Sequence, residues 1–419
     1  MADSGQDITD RIERPIKELL HDANLASSGA RNAWVLYLGL LAYFFVALAG
    51  ISHRDLLLET PIALPLLQVT IPQMSFFLFA PLILVLVHFA ILLQHVMLSR
   101  KLREFHKRMT HHEGNGLFRQ HRFRVQLSSY TYAQAIAGPH RSPLLAGFLY
   151  AMTWITLGIL PLLALLDLQI TFLPYHDTFV TGLHRAYVVA DFIVLVIFGV
   201  FLRFPEMGFW SGFAANLTQH PGNFFSTLIV ALLAILFSFL VATIPEEPLD
   251  RLARELWPVP VPIGTLPADS KRVAFWPTAH WFEGQTDEIR GRPDSIFSRN
   301  LIVINTGLVV PGQAQAEGFS LNLRGRDLKF ASFDRSDLTR ADMTGADVSG
   351  ASFVQSILIK ASFAKARMRD ADLRKAAVFS ANLHGADLEG AKACSDQHGL
   401  PEMVGDEAAA KFAMVACGK

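Results

Sequence analysis

The chain has 419 residues, with 37 Lys and Arg against 37 Asp and Glu, so its formal net charge is zero. That balance argues against a nucleic-acid binder, and a total of two cysteines excludes a cysteine-rich disulfide or metal scaffold. Hydrophobic residues make up 51% and charged residues 18%, against roughly 25% charged in an ordinary soluble domain, an excess that points to membrane spans.

Segment 1–32 carries six acids before Arg31 and lacks the basic start, apolar core and small-residue cleavage site of a secretory signal. Ile8, Ile12, Ile16, Leu19 and Leu20 recur at helical spacing among charges. They predict an amphipathic helix lying on a membrane or on its own protein. A transmembrane domain follows over 33–244, with spans at about 33–51, 74–98, 144–166, 186–202 and 224–244. Such lengths suit roughly 30 Å of hydrocarbon at about 1.5 Å per helical residue. Pro161 predicts a kink in the third span. The fourth is the shortest and contains Asp191, which leaves four spans as the alternative count. Trp34, Tyr150, Trp154 and Tyr187 fall near span ends, as interfacial anchors do.

The loop at 99–143 holds nine Lys/Arg and two acids, whereas 52–73 and 167–185 hold one Arg each, Arg54 and Arg185. The positive-inside rule puts the basic loop in the cytoplasm. Five spans then place the N-terminus inside and everything after residue 244 outside, which in a bacterial inner membrane is the periplasm. Residues 245–320 read as a Pro- and charge-rich stem, with a short strand in LIVINTGLVV at 301–310.

From residue 321 the sequence repeats every five residues, with large apolar centres at Leu323, Leu328, Phe333, Leu338, Met343, Val348, Phe353, Leu358, Phe363, Met368, Leu373, Val378, Leu383 and Leu388. Ala stands two positions earlier in ten of these fourteen units, and Asp, Asn or Ser mostly follows it. A period of five fits neither a helix nor a flat strand. It fits a square coil in which the centre and the Ala point inward and the Asp, Asn or Ser serves the corner. The pattern over 321–390 resembles the pentapeptide-repeat family, which implies a right-handed quadrilateral β-helix over 321–392. Four units per coil would stack Phe333 on Phe353 and Leu373, and fourteen units would make about three and a half coils. Leu321 and Arg326 depart from the Ala position, and Ile357 and Ala377 from the polar one. Ile357, Ile359, Val378 and Phe379 would leave apolar surface on one side, read as local repacking or a contact with the membrane domain.

The last coil needs a cap over its strand edges. Residues 393–419 supply one, read as a short helix from Asp406-Glu407 through AAAKFAMVA. Cys394 and Cys417 flank it and form a candidate disulfide, which an oxidising compartment outside the cytoplasm would favour over two free thiols.

No phosphate loop, nucleophile elbow, HExxH or Cys-x-x-Cys occurs, so no catalytic residue, metal or cofactor is assigned. His88, His95 and Asp191 are candidate intramembrane polar residues, for a proton or ion path or for pairing between helices. His106, His111, His112 and His121 lie in the basic loop, where charge attracted to anionic lipid explains them more simply than a metal. Asp167, His176, Asp177 and His184 suit zinc by residue type but not by a diagnostic spacing. Segment 321–392 holds twelve Lys/Arg and nine Asp/Glu, which disfavours the DNA mimicry known in soluble members of the resembled family. The expectation is a non-enzymatic membrane protein that presents the β-helix to an unknown protein partner. Its partners would include membrane lipids but no nucleic acid, with homo-oligomerisation open. The alternative is a small channel, transporter or sensor in which His88, His95 and Asp191 act and the β-helix regulates or assembles it.

Overall fold

The computed structural model describes residues 2–256 except 65–68, 112–116, 140–141 and 220, then 298–309, 318–394 and 413–415, with short strands at 259–260, 273–274, 286–287 and 292–293. It divides into two compact units.

The first unit comprises residues 1–48, 78–167 and 184–235. Helix α1 runs unbroken over Ala2–Ala49, so the amphipathic segment and the first span are one helix and residue 32 is no boundary. Between them the sequence offers alanines and no proline, and nothing stops the helix at the point where its hydropathy changes. From Ile16 onward the amphipathic stretch packs on its own protein. Ile16, Leu20 and Ala23 are buried with Leu98, Leu102, Phe105 and Met109 of α3 (Gln73–His111) and Phe123 of α4 (Leu117–Val125). Asn24 fixes the register, donating to the Gln126 carbonyl at 3.0 Å and accepting from the Ser128 N–H at 2.7 Å. Helix α5 (Thr131–Ala137) carries the buried Tyr132 and Ala133 into the same cluster.

Among the described residues five helices are long and apolar enough to cross a membrane: Pro15–Ala49, Gln73–Thr110, Pro143–Tyr175, Thr178–Arg203 and Phe224–Val241. Several extend past the apolar runs of the sequence, because helix formation does not depend on apolar side chains. The third is composite: α6 (Pro143–Trp154), a π turn at Ile155–Ile159 and α7 (Leu160–Phe172). Helix α8 (Thr178–Arg203) follows. Helix α9 (Phe209–Gln219) precedes α10 (Pro221–Leu236), which ends in a second π turn, Phe237–Val241.

The second unit comprises residues 49–77, 168–183 and 236–419. It contains the short helix α2 (His53–Leu58), closed by a capping box in which Ser52 and Asp55 satisfy each other's backbone N–H. A hairpin of β1 (Ile62–Leu64) and β2 (Val69–Ile71) follows, and α11 (Pro248–Leu256) lies beyond the second π turn.

The repeats belong to this unit. Parallel bridges join residues twenty apart, such as Ser332 to Ser352 and Ser352 to Asp372, so four five-residue units complete one coil. Of the fourteen centres all are buried except the half-buried Leu383. Phe333 stacks on Phe353 with ring centroids 5.3 Å apart. Alanines beside them, including Ala341, Ala346 and Ala351, are fully buried, where no larger side chain fits at native packing density.

The corners draw on two devices. The second-position Asp or Asn accepts the N–H two residues on, as Asp337 does from Thr339 at 2.9 Å and Asn382 from His384 at 3.0 Å. The fifth residue adopts a left-handed backbone, at Arg335, Lys360 and Gly345 among others, and the next N–H closes back on the unit's centre, as Ala341 does on the Leu338 carbonyl.

The coil begins earlier than the pentad periodicity implies. Ile302 bridges Ser332 and Gly307 bridges Asp337, thirty residues apart rather than twenty. The apolar run at 301–310 therefore supplies two more units, with Val303 and Leu308 buried as centres, before a ten-residue insertion. Two added to fourteen give sixteen units, or four full coils. At the other end Ala413–Val415 pairs in parallel with Lys392–Cys394. That stretch is a strand rather than part of a helix, since the free edge of the last coil outweighs the helical propensity of its alanines. The rest of the expected cap helix lies outside the described residues.

Candidate functional site

Two polar constellations are built by this fold. The first lies among the apolar helices of the first unit. His88 of α3 and Asp191 of α8 are fully buried, with Nδ1 and Oδ1 2.6 Å apart. The other ring nitrogen, Nε2, lies 2.9 Å from the Leu157 carbonyl in the π turn. A carbonyl only accepts, so Nε2 carries a hydrogen, and a second proton is shared between Nδ1 and the carboxylate. The pair is neutral overall wherever that proton sits. Tyr37 stacks on His88, with centroids 5.9 Å apart and planes at 10°. Asp191 Oδ2 and the Tyr37 hydroxyl have no hydrogen-bond partner among the described residues.

His95 does not join this pair. It contacts the Tyr130 hydroxyl at 2.6 Å and its own helix at the Ile91 carbonyl. Sequence reasoning missed a similar arrangement at the second π turn. Gln169, fully buried, donates to the Ser238 and Ala242 carbonyls and accepts from the Ser238 hydroxyl.

The second constellation, in the second unit, holds the first coil to the ends of the helical hairpins. His53 of α2 accepts the Ile302 N–H at 2.9 Å, and burial pushes its imidazole down to about 4. Arg326, which replaces the expected Ala, lies over the Tyr175 ring at 4.1 Å and donates to the Leu57 carbonyl at 3.1 Å. Glu59 stands 3.8 Å from Arg326 and accepts from the Tyr175 hydroxyl at 2.6 Å. Burial lowers the Arg326 guanidinium, against the opposing pull of Tyr175 and Glu59.

A closed ring of contacts adjoins this cluster. His176 Nε2 meets the Arg299 carbonyl at 2.9 Å and Nδ1 faces Asp327 Oδ1 at 3.6 Å. Arg299 pairs with Asp250 at 2.7 Å, both buried. Asp250 accepts the Glu246 N–H, and the Glu246 carboxylate lies 3.6 Å from Lys329, which reaches Asp327 and Asp347. Burial alone would raise Asp327, but His176 and Lys329 hold it below the usual carboxylate range.

The residues that suit zinc by type alone have other places. Asp177 caps α8 by accepting the Val180 N–H at 2.9 Å, His176 belongs to the ring, and His184 is buried in α8. Among the described residues no three His, Cys, Asp or Glu side chains are grouped to hold a metal. In the basic loop His121 is exposed and His112 lies outside the described residues. Cys394 is buried and disulfide-bonded. Cys417, the sequence's other cysteine, lies outside the described residues.

Comparison with known proteins identifies the repeats. Residues 321–355 and 356–392 match the family described as pentapeptide repeats (8 copies). A pentapeptide repeat protein of the Arabidopsis thaliana thylakoid lumen is 30% identical, over 22% of this chain and 57% of that one, with a TM-score of 0.19. One from Nostoc is 29% identical, over 22% and 68%, with a TM-score of 0.19. A Nostoc pentapeptide repeat protein involved in heterocyst differentiation regulation is 28% identical, over 21% and 46%, with a TM-score of 0.11. No curated protein matches the chain. Residues 321–392 are thus pentapeptide repeats, preceded by a region of long apolar helices.

Proposed function

We propose that this is a multi-pass protein of a bacterial inner membrane that displays a right-handed quadrilateral β-helix in the periplasm as a non-enzymatic protein-interaction scaffold. The observation that carries the reading is the bonding of the first coil to the two Arg-poor loops, through His53, Arg326 and His176. That bonding supports assigning the repeats to the side of the Arg-poor loops, and the positive-inside rule assigns the basic loop at 99–143 to the cytoplasm. The bonded Cys394 agrees with an oxidising compartment. A coil anchored through His53, Arg326 and His176 suits a rigid display, and its slight positive charge does not suit DNA mimicry.

The test is topology. Intact cells treated with a membrane-impermeant thiol reagent are expected to label Cys394 and Cys417 only after reduction. Labelling that requires lysis overturns the reading.

A second reading, a channel, transporter or sensor, is favoured by the unpartnered Oδ2 of the buried Asp191. It requires Asp191→Asn to abolish function while deletion of 321–390 does not.

A further inference from the structure

The chemistry of His176 is set by its two neighbours. Its side chain is 1% exposed, and Nε2 meets the Arg299 carbonyl at 2.9 Å. A carbonyl offers no hydrogen, so Nε2 carries one. In a neutral ring Nδ1 is then a bare acceptor, and it looks at the Asp327 carboxylate 3.6 Å away, another acceptor. Among the described residues Nδ1 has no hydrogen-bond partner. A proton placed there turns two opposed lone pairs into an N–H aimed at a carboxylate, a charge-assisted bond.

We propose that His176 is a proton-operated latch that tightens the turn between α7 and α8 against the first coil of the repeats on acidification and loosens it as the pH rises.

The surrounding charges leave this role to His176. On its own turn, Asp177 caps α8 and Tyr175 is bound to Glu59. From the stem, Asp250 is paired with Arg299. From the coil, Arg326 lies on the Tyr175 ring, and Lys329 is shared among Glu246, Asp327 and Asp347. His53 of α2 is held neutral down to about pH 4 by burial. Among these groups His176 is the one whose second ring nitrogen faces a carboxylate without bonding to it. It also sits where the chain must pivot, with a left-handed backbone at φ 59° and its N–H closing on the Leu173 carbonyl. A change in the Asp327 contact therefore reaches the end of α7 directly.

Hydrogen–deuterium exchange of the full chain in detergent micelles, from pH 5.5 to 8 and corrected for intrinsic exchange, tests the latch. Amides at 173–177 and 326–329 are expected to exchange on the order of tenfold more slowly at pH 5.5 than at pH 8, the scale of one hydrogen bond to a charged group. His176→Gln keeps a donor for the Arg299 carbonyl but cannot titrate, and it is expected to abolish that pH dependence. Asp327→Asn removes the carboxylate instead and is expected to do the same, which preserves the test should His176→Gln fail to fold. Exchange that ignores pH in the unaltered protein, or a pH dependence that survives in either variant, overturns the proposal.

Discussion

His88 stands 2.9 Å from the Leu157 carbonyl, the oxygen that Pro161, four residues further along the helix, cannot reach with an N–H. Proline creates the vacancy, the π turn at Ile155–Ile159 accommodates it, and a histidine from another helix fills it. The second π turn repeats the logic, with Gln169 bonded to the Ser238 and Ala242 carbonyls. Removing either member of the His88–Asp191 pair has unequal consequences. His88→Ala leaves a buried carboxylate alone among apolar side chains and is expected to cost about 3–5 kcal/mol. Asp191→Asn leaves a neutral amide that still pairs with Nδ1, and is expected to cost about 1–2 kcal/mol. Unfolding in detergent checks the order, and equal losses would remove the electrostatic account.

Arg326 gives the junction a similar test. Its guanidinium is held by the Tyr175 ring and the Leu57 carbonyl. Arg326→Ala restores the residue the pentad pattern expects, yet it is expected to destabilise the protein by about 1–3 kcal/mol, because the Leu57 carbonyl and Glu59 lose a charged donor. A gain in stability on thermal unfolding would mean that the coil does not use this contact.

The same residue shows how far the sequence could be read. Pentad spacing revealed the centres from Leu323 to Leu388 because each coil side has the same environment. It failed where environments differ. A ten-residue insertion shifts Val303 and Leu308 out of register with the later units. Arg326 was visible as a break in the Ala column, but the Tyr175 that receives it lies over a hundred residues away in the sequence, and periodicity carries no information across that distance. The pairing of His88 with Asp191 was open to either histidine, and the Pro161 vacancy decides it. Gln169 gave no signal, since a single amide in an apolar helix acquires meaning only from the carbonyls it meets. The strand at Ala413–Val415 has helix-forming residues around it, and only the coil's free edge explains its conformation.

His53 predicts a second pH effect, of opposite sign to the latch. Its folded value of about 4 lies below the ordinary imidazole value, so between roughly pH 6.5 and 4 the unfolded chain takes up a proton that the folded chain refuses. Stability is expected to fall as the pH drops through that window. His53→Asn, which keeps an acceptor for the Ile302 N–H, is expected to flatten the fall. Denaturation midpoints at pH 6.5, 5.5 and 4.5 provide the comparison, and parallel losses in both proteins would refute the assignment.

Within the coil, exposure rather than hydrophobicity should set the cost of truncation. Phe353 is fully buried between Phe333 and Phe363, and Phe353→Ala is expected to cost about 3–5 kcal/mol. Ile357 is 39% exposed and Phe379 61% exposed, so Phe379→Ser is expected to change stability by about 0.5 kcal/mol or less. A large loss in the second variant, measured by unfolding, would show that the apolar strip is covered in the folded protein.

The corners make a last distinction, between backbone strain and collision. Gly345 and Gly390 both have φ near +70°, so an alanine at either pays about 1–2 kcal/mol for the left-handed backbone. Around Gly345 an added Cβ meets nothing within 4 Å, whereas at Gly390 it would collide with Asp370 Oδ1. The coil tolerates the strain alone, since Lys360 and Lys375 occupy the same corner position with φ of 54° and 59°. Gly345→Ala is therefore expected to fold with a modest loss. Gly390→Ala is expected to lose more, because the Asp370 carboxylate must move, and Gly390→Ala combined with Asp370→Ala should return to the Gly345→Ala level. If the two single variants unfold at the same midpoint, the corner cost is wholly dihedral and the Asp370 contact yields freely.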